Sequence, residues 1–124
     1  MRKILLDTDI IIDILRNHRE TIQLVKKIST DELYISGITE AEIFAGKDLS
    51  DENKRKLCME LLSKFEKINP NNIILRKAGE FRRKYGVPLP NCIVAATTYE
   101  LNAELLTRNL KHYMKIKEVK IFRF

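Results

Sequence analysis

Short apolar runs along the chain predict β-strands. Lys3 to Leu6 is a β-prone run, and Leu33 to Ile35 and Leu105-Leu106 repeat its character further along. Val119 to Phe122 predicts a last strand, at an edge of the sheet. Each of the first three runs is followed directly by a polar residue, so each predicted strand ends in a side chain that can carry chemistry.

Between these runs, apolar residues recur at the spacing of helices. Ser50 is predicted to cap a helix of about four turns, whose apolar face carries Leu57, Leu61 and Phe65. The predicted helices are, in chain order, Ile10 to Leu15, Thr21 to Ile28, Thr39 to Ala45, the helix after Ser50, one capped by Asn71-Asn72 and ended by Gly86, and a buried helix around Ile93 to Ala96.

Strands that alternate with helices predict parallel β-α units. We therefore expect an α/β fold, a three-layer α/β/α domain with a central, mainly parallel sheet, spanning residues 1–124. In such folds the site lies outside the carboxyl ends of the strands. The polar groups at those ends are Asp7, Ser36 and the segment from Thr107 to Asn109.

Composition narrows the setting of the protein. No apolar run approaches the roughly 20 residues of a membrane helix, and the run after Met1 is too short for a signal peptide. Cys58 and Cys92 lie in separate apolar patterns, which predicts buried free thiols and a cytoplasmic location. The net charge of +6 is by itself weak evidence for nucleic acid.

Two acidic residues each have a structural and a functional interpretation. Asp7 follows a strand, so its carboxylate either points into the crevice above the sheet or caps the helix that begins at Thr8. Thr39 and Glu42 have the spacing of a capping box, which would explain both without any function. The same short helix follows a strand end, however, so Glu42 can equally be a ligand in the crevice.

Two asparagines raise the same question. Asn91 follows Pro90 and is a natural N-cap for the buried helix, but its amide oxygen can also bind a cation, more weakly than an Asp carboxylate would. Asn109 is either a turn residue or part of the crevice. In the second case the Thr107 hydroxyl would support a ligand or a phosphate contact.

The order and spacing of these residues resemble the PIN-domain family. Residues 5–13 (LLDTDIIID) resemble the opening strand of that family, in which the Asp, here Asp7, is the first metal ligand. Residues 35–46 (ISGITEAEIFAG) resemble its second motif, whose acidic residue matches Glu42. The glycine that closes this motif is similar to that of the VapC toxins of toxin–antitoxin pairs.

The last two motifs of the family fall on the two asparagines. Residues 88–97 (PLPNCIVAAT) resemble the third motif, whose usual Asp falls at Asn91, and residues 105–113 (LLTRNLKHY) resemble the fourth, in which Asp or Asn occurs at the place of Asn109. An amide at position 91 keeps the shape of Asp and removes a charge. Either it was introduced to disarm a toxin, or the protein is naturally weak or inactive.

The resemblance implies a metal-dependent endoribonuclease, the toxin of a type II toxin–antitoxin pair. Mg²⁺ or Mn²⁺ would be held by Asp7, Glu42 and Asn91, with Asn109 as a fourth catalytic residue, and would activate water to hydrolyse RNA phosphodiesters. The implied partners are RNA, a cognate antitoxin and a second copy of the chain in a homodimer. Supporting residues would be Thr8, Ser36, Thr39 and Thr107, and candidate RNA contacts Lys47, Lys54, Arg55, Arg82, Arg83, Arg108 and Lys111.

Three other functions compete with this interpretation. A catalytically lapsed PIN-fold RNA-binding or regulatory protein is best supported by Asn91. A DNA-directed nuclease of the same fold would share the metal chemistry. A phosphoacceptor receiver domain would need an acceptor Asp after the strand at Leu33 to Ile35, where the sequence has none.

Overall fold

The computed structural model describes residues 1–123. The strands are β1 (Lys3–Leu6), β2 (Glu32–Ser36), β3 (Glu66–Ile68), β4 (Glu104–Leu106) and β5 (Lys120–Ile121). The helices are α1 (Thr8–Leu15), α2 (Arg19–Lys27), α3 (Gly37–Phe44), α4 (Glu52–Leu62), α5 (Asn72–Tyr85), α6 (Leu89–Glu100) and α7 (Leu110–Tyr113), with a 3₁₀ turn at Lys47–Ser50.

The strands form one sheet in the order β3-β2-β1-β4-β5, and every pair of neighbours is parallel. β1 is central, with Leu5 opposite both Tyr34 of β2 and Leu105 of β4. Parallel strands are covered by helices on both faces, which fits the three fully buried residues from Ile4 to Leu6. This order places the carboxyl ends of β2, β1 and β4 side by side.

Two apolar clusters hold helices against opposite faces of the sheet. Leu5 packs with residues of α5, α6 and α7, whereas Ile4 and Leu6 pack with residues of α1, α3 and α4. The alternation along β1 is what a strand with side chains on both faces requires. The predicted three-layer α/β/α fold with a mainly parallel sheet is therefore confirmed.

Several local predictions are also confirmed. Gly86 ends α5 with a positive φ of 69°, a conformation that favours glycine. Cys58 and Cys92 are buried free thiols. Among residues 1–123, no helix is both long enough and apolar enough to cross a lipid bilayer. The predicted domain ends at Phe124, which lies outside the described residues.

The predictions around α4 were partly wrong. The cap is Asp51, whose carboxylate accepts a hydrogen bond from the Lys54 N–H over 3.0 Å, while the Ser50 hydroxyl donates to the preceding turn. The helix has 11 residues instead of about four turns, and Leu57 on its supposed inner face is 62% exposed. Strand β3 was missed because Glu66-Lys67-Ile68 is short, charged and at the sheet edge.

Candidate active site

A cavity of about 220 Å³ lies over the carboxyl ends of the central strands. The predicted catalytic residues Asp7, Glu42, Asn91 and Asn109 all line it, although they come from four separate segments of the chain. The complete lining is Asp7, Thr8, Asp9, Ile12, Glu42, Pro90, Asn91, Val94, Asn109 and Tyr113. The structure thus brings together the four residues that the sequence motifs selected.

Asp7 serves as a helix cap and as a site residue at once. Its Oδ1 accepts hydrogen bonds from the Thr8 N–H over 2.9 Å and from the Tyr113 hydroxyl over 3.1 Å. Its Oδ2 accepts from the Thr107 hydroxyl over 2.8 Å. Burial, and next the charge of Asp9, raise the pKa of Asp7 to about 6 against the effect of these donors. Three donors therefore hold a buried carboxyl group in one orientation.

Glu42 is oriented by a chain of two threonine hydroxyls. The Thr8 hydroxyl donates to Glu42 Oε1 over 2.7 Å, so the Thr39 hydroxyl, 2.9 Å away, donates to Thr8. The capping box proposed for Thr39 and Glu42 was wrong, because α3 begins at Gly37 and Ser36 is its cap. Thr39 is therefore a fully buried residue inside the helix, and its hydroxyl points toward the site through Thr8.

Asn91 lies inside the first turn of α6, not at its cap. The helix begins at Leu89, with Pro88 at the N-cap, because the two prolines lead directly into the helical turn. The Asn91 Nδ2 donates a hydrogen bond to the phenolic oxygen of Tyr113 over 3.3 Å. Asn91 is therefore coupled to Asp7 through one tyrosine hydroxyl.

Tyr113 is a site residue that sequence reasoning missed. It is fully buried, and burial, together with the charge of Asp7, raises the pKa of its phenol far above the ordinary value. The phenol therefore stays protonated and remains a donor to Asp7. A signal did exist, since Tyr113 lies four residues after Asn109, about one helical turn further along, and so faces the same way.

Asp9 is a second residue of the cavity lining that the sequence motifs did not select. Its Oδ2 accepts a hydrogen bond from the Arg108 N–H over 3.0 Å. Its Oδ1 is buried and has no hydrogen-bond partner in the part of the chain that the structure describes. Burial raises the pKa of Asp9, and the Arg108 N–H opposes that rise. The cavity wall therefore carries one unsatisfied carboxylate oxygen.

The remaining predicted residues support the cavity from outside. The Thr107 hydroxyl, besides donating to Asp7, accepts a hydrogen bond from the Asn109 N–H over 2.9 Å, which fixes the turn that presents Asn109. Ser36 is fully buried, and its hydroxyl oxygen accepts from the Ile38 N–H over 3.2 Å. Ser36, unlike Asn109, does not line the cavity and positions the start of α3.

Comparison with known proteins identifies the family. The PIN-domain family model matches residues 4–117. The chain belongs to the PIN-domain family. Ribonuclease VapC1 of Haemophilus influenzae strain R2866 is 31% identical to this PIN domain, over 93% of this chain and 92% of that protein. The resemblance seen in the sequence motifs is thereby confirmed.

Solved structures agree with that assignment. A chain of the toxin–antitoxin complex from Klebsiella pneumoniae superposes on this PIN domain with a TM-score of 0.81 at 31% identity, over 93% of each chain. A chain of the DNA-bound VapBC complex from Salmonella typhimurium gives a TM-score of 0.87 over 98% of each chain. Its identity of 23% makes that second likeness evidence for the fold alone.

The donor atoms of this PIN domain suit a hard divalent cation. Carboxylate and amide oxygens, the ligands that Mg²⁺ and Mn²⁺ prefer, come from Asp7, Glu42 and Asn91. Asp9 lines the same cavity, and its buried, unsatisfied Oδ1 is the kind of atom that a cation would pair. Within residues 1–123, no three acidic, His or Cys side chains are arranged to hold a metal by themselves. Amide and water oxygens would therefore have to complete the coordination.

Proposed function

We propose that this PIN domain is an endoribonuclease that depends on Mg²⁺ or Mn²⁺ and acts as the toxin of a type II toxin–antitoxin pair. The observation that carries the proposal is the convergence of Asp7, Glu42, Asn91 and Asn109 on one cavity at the carboxyl ends of the strands. The similarity to Ribonuclease VapC1 supports the choice of RNA as substrate. Likeness to a toxin–antitoxin complex supports an antitoxin as partner.

The residues of this chain prepare the site for that chemistry. Asp7 and Glu42 hold the cation, and their orientations are set by the hydroxyls of Thr107, Tyr113 and Thr8. Asn91 and Asn109 line the same cavity, and Asn91 would add an amide oxygen to the ligands of the cation. When bound, the cation supplies an activated water and neutralises the charge of the scissile phosphodiester.

Electrostatics accounts for how an acidic cavity receives a polyanion. The chain carries a net charge of +6 around a cavity lined by three carboxylates, so attraction from the surrounding surface opposes repulsion at the site. Two of the predicted RNA contacts have other roles, because the guanidiniums of Arg55 and Arg82 bind backbone carbonyls of the chain itself. We propose that Lys47, Lys54, Arg83, Arg108 and Lys111 contact the RNA backbone.

We further propose a cytoplasmic homodimer whose activity is blocked by its antitoxin. The buried free thiols fit a reducing compartment. Asn91 favours one competing function, a PIN-fold RNA-binding or regulatory protein without catalysis, because the position lacks the charge that binds a hard cation most strongly. The two functions differ in one outcome, cleavage.

The deciding experiment compares RNA cleavage by the chain and by Asn91→Asp, with Mn²⁺ or Mg²⁺ and with EDTA. We expect Asn91→Asp to cut only with metal, and the chain itself to be much slower. Glu42→Gln in the same background should lose activity, whereas Glu52→Gln, the same change at a side chain that is 72% exposed and lines neither cavity near the site, should keep it. This pair controls for contaminating nucleases.

The opposite result would support the non-catalytic function. If neither protein cuts RNA while both still bind it in EDTA, the catalytic proposal fails and the binding proposal gains support. The same assay with single-stranded DNA of equal length tests the third function, a DNA-directed nuclease. Preferential cutting of DNA would replace the assignment of RNA as the substrate.

A further inference from the structure

A second cavity of about 310 Å³ opens beside the candidate active site. It lies between α1, α3, the 3₁₀ turn and α4, and its lining is Ile12, Leu15, Arg16, Glu42, Ile43, Gly46, Lys47, Asp48, Leu49 and Cys58. Ile12 and Glu42 line both cavities, so the second one borders the first. A molecule bound at Glu42 can therefore reach into either space.

The wall of this cavity combines an apolar surface with cations. Leu15, Leu49 and the buried Ile43 and Cys58 form apolar surface, and Gly46 adds backbone without a side chain. A Cβ built on Gly46 would lie only 3.2 Å from the Ile43 carbonyl oxygen, so a side chain at this position would crowd the turn. The apolar part of the lining can pack against the face of a nucleobase.

Charged residues of both signs border this apolar surface. Arg16 and Lys47 are exposed side chains of its lining. The acidic neighbour Asp48 lies 3.9 Å from the Lys54 ammonium, so part of its charge is already compensated. This combination is complementary to a nucleotide. The faces of its base are apolar and would pack on the apolar surface, and its anionic phosphate would lie near the two cations.

We propose that this cavity is a nucleobase subsite, which takes the base of a nucleotide next to the phosphodiester held at Asp7 and Glu42. The inference rests on the proposed ribonuclease function and specifies how its substrate is held. The volume is within the range of cavities that bind small ligands. Arg16 and Lys47 then contact phosphates on the same side of the cut bond.

A third cavity provides a contrast and a control. It is a largely apolar groove lined by Ile14, Ile22, Val25, Lys26, Ser29, Leu33, Leu61, Lys64 and Phe65. It shares no lining residue with the candidate active site. Leu61 in this groove and Leu49 in the proposed subsite are both partly buried, so the same substitution can be made at each.

The test measures the binding of single-stranded RNA in EDTA, where no metal-dependent cleavage occurs. The probes are fluorescent RNAs of roughly 8 nucleotides, each with one abasic ribose at a different position. We expect one position at which loss of the base weakens binding roughly 5- to 150-fold. In Leu49→Trp, which fills the subsite, intact and abasic RNAs should bind equally. In Leu61→Trp the penalty should remain.

A measurement on the unaltered chain covers the case in which Leu49→Trp does not fold. RNA with 4-thiouridine at the sensitive position should crosslink to α1 between Ile12 and Arg16, to the segment between Glu42 and Leu49, or to Cys58. Crosslinks elsewhere, no base-sensitive position, or an unchanged abasic penalty in a folded Leu49→Trp would each overturn the subsite. The last result would leave the cavity to a protein partner.

The outcomes also separate this inference from the function on which it rests. Cleavage without any base-sensitive position overturns the subsite alone. A base-sensitive position without cleavage, even in Asn91→Asp, overturns the catalytic proposal and supports the subsite in an RNA-binding protein. Absence of both RNA binding and cleavage overturns both.

Discussion

The side-chain amide of Asn91 donates a hydrogen bond to the phenolic oxygen of Tyr113 over 3.3 Å. Tyr113 in turn gives its single proton to Asp7. Every donor from Asn91 to Asp7 therefore has an acceptor, and the arrangement needs no metal ion to balance it. A carboxylate at position 91 has no proton to give, so it would face the lone pairs of the phenol and the charge of Asp7 unless a cation lay between them.

This relationship predicts that Asn91→Asp makes the fold depend on metal. Loss of the amide donor beside buried partners should lower the free energy of unfolding in EDTA by about 1–3 kcal/mol. Added Mn²⁺ should raise the melting temperature of Asn91→Asp more than that of the chain itself, because a ligand specific for the folded state stabilises it. Thermal denaturation with EDTA and with Mn²⁺ measures both effects.

The control for that prediction is Asn53→Asp, which makes the same change at an exposed position in the first turn of α4. Its melting temperature should respond to Mn²⁺ as the unaltered chain does. Equal Mn²⁺ responses for Asn91→Asp and Asn53→Asp would show that position 91 does not take part in metal binding.

Tyr113→Phe should destabilise the protein although it removes only one oxygen. Asp7 loses a donor and the Asn91 amide loses its acceptor, and both lie in a largely buried network. We expect a cost of about 1–3 kcal/mol, measured by urea denaturation at pH 7. Tyr85→Phe is the matched control, since its hydroxyl bonds Glu118 near the surface. Equal costs for the two variants would contradict a special role of the Tyr113 hydroxyl.

The pKa of Asp7 predicts how stability varies with pH in the metal-free protein. Folding raises this pKa to about 6, above the unfolded value of about 3.9. The folded state thus holds a proton that the unfolded state has lost, so the contribution of Asp7 is present below pH 4 and is lost as pH rises through 6. The free energy of unfolding should therefore fall by about 2–3 kcal/mol as the pH rises across this range.

Asp7→Asn removes that titration and nearly preserves the shape. The free energy of unfolding of Asp7→Asn minus that of the unaltered chain should increase by about 2–3 kcal/mol between pH 4 and pH 7 in EDTA. Urea denaturation at half-unit pH steps measures the difference, and Asp48→Asn serves as the exposed control. A constant difference across this window would mean that Asp7 ionises normally in the fold.

The sequence was sufficient for the fold and for the four residues that meet in the cavity. Strand β1 could be predicted because a short apolar run ending at Asp7 has one structural solution in an α/β domain. Asp7 and Glu42 could be selected because the spacing of whole motifs constrains them together, whereas each residue alone was equally consistent with a helix cap.

What the sequence could not give were contacts between distant segments. The hydrogen bond from Tyr113 to Asp7 spans 106 positions, and no local pattern encodes it. Local preference also suggests Thr39 and Asn91 as possible caps, but α3 and α6 each begin two residues earlier than these positions. Several polar residues near a helix start satisfy the same local preference, so packing decides which one caps.

Asp13 predicts a last, separable effect on stability. It is buried, its Oδ2 accepts a hydrogen bond from the buried Thr21 hydroxyl over 2.9 Å, and its Oδ1 lies 3.1 Å from the exposed Arg108 guanidinium. Asp13→Ala leaves Thr21 without its acceptor and should cost about 1–3 kcal/mol. Arg108→Ala removes an ion pair whose guanidinium is exposed, so solvent screening should keep its cost to about 0–1 kcal/mol. The main-chain N–H of Arg108 still binds Asp9 in Arg108→Ala. In the Asn91→Asp background, Arg108→Ala should therefore reduce RNA affinity more than it reduces cleavage. Urea denaturation and filter binding measure these effects. A cost for Arg108→Ala as large as that for Asp13→Ala would mean that the ion pair, and not the hydrogen bond from Thr21 of α2, accounts for the stabilising role of Asp13.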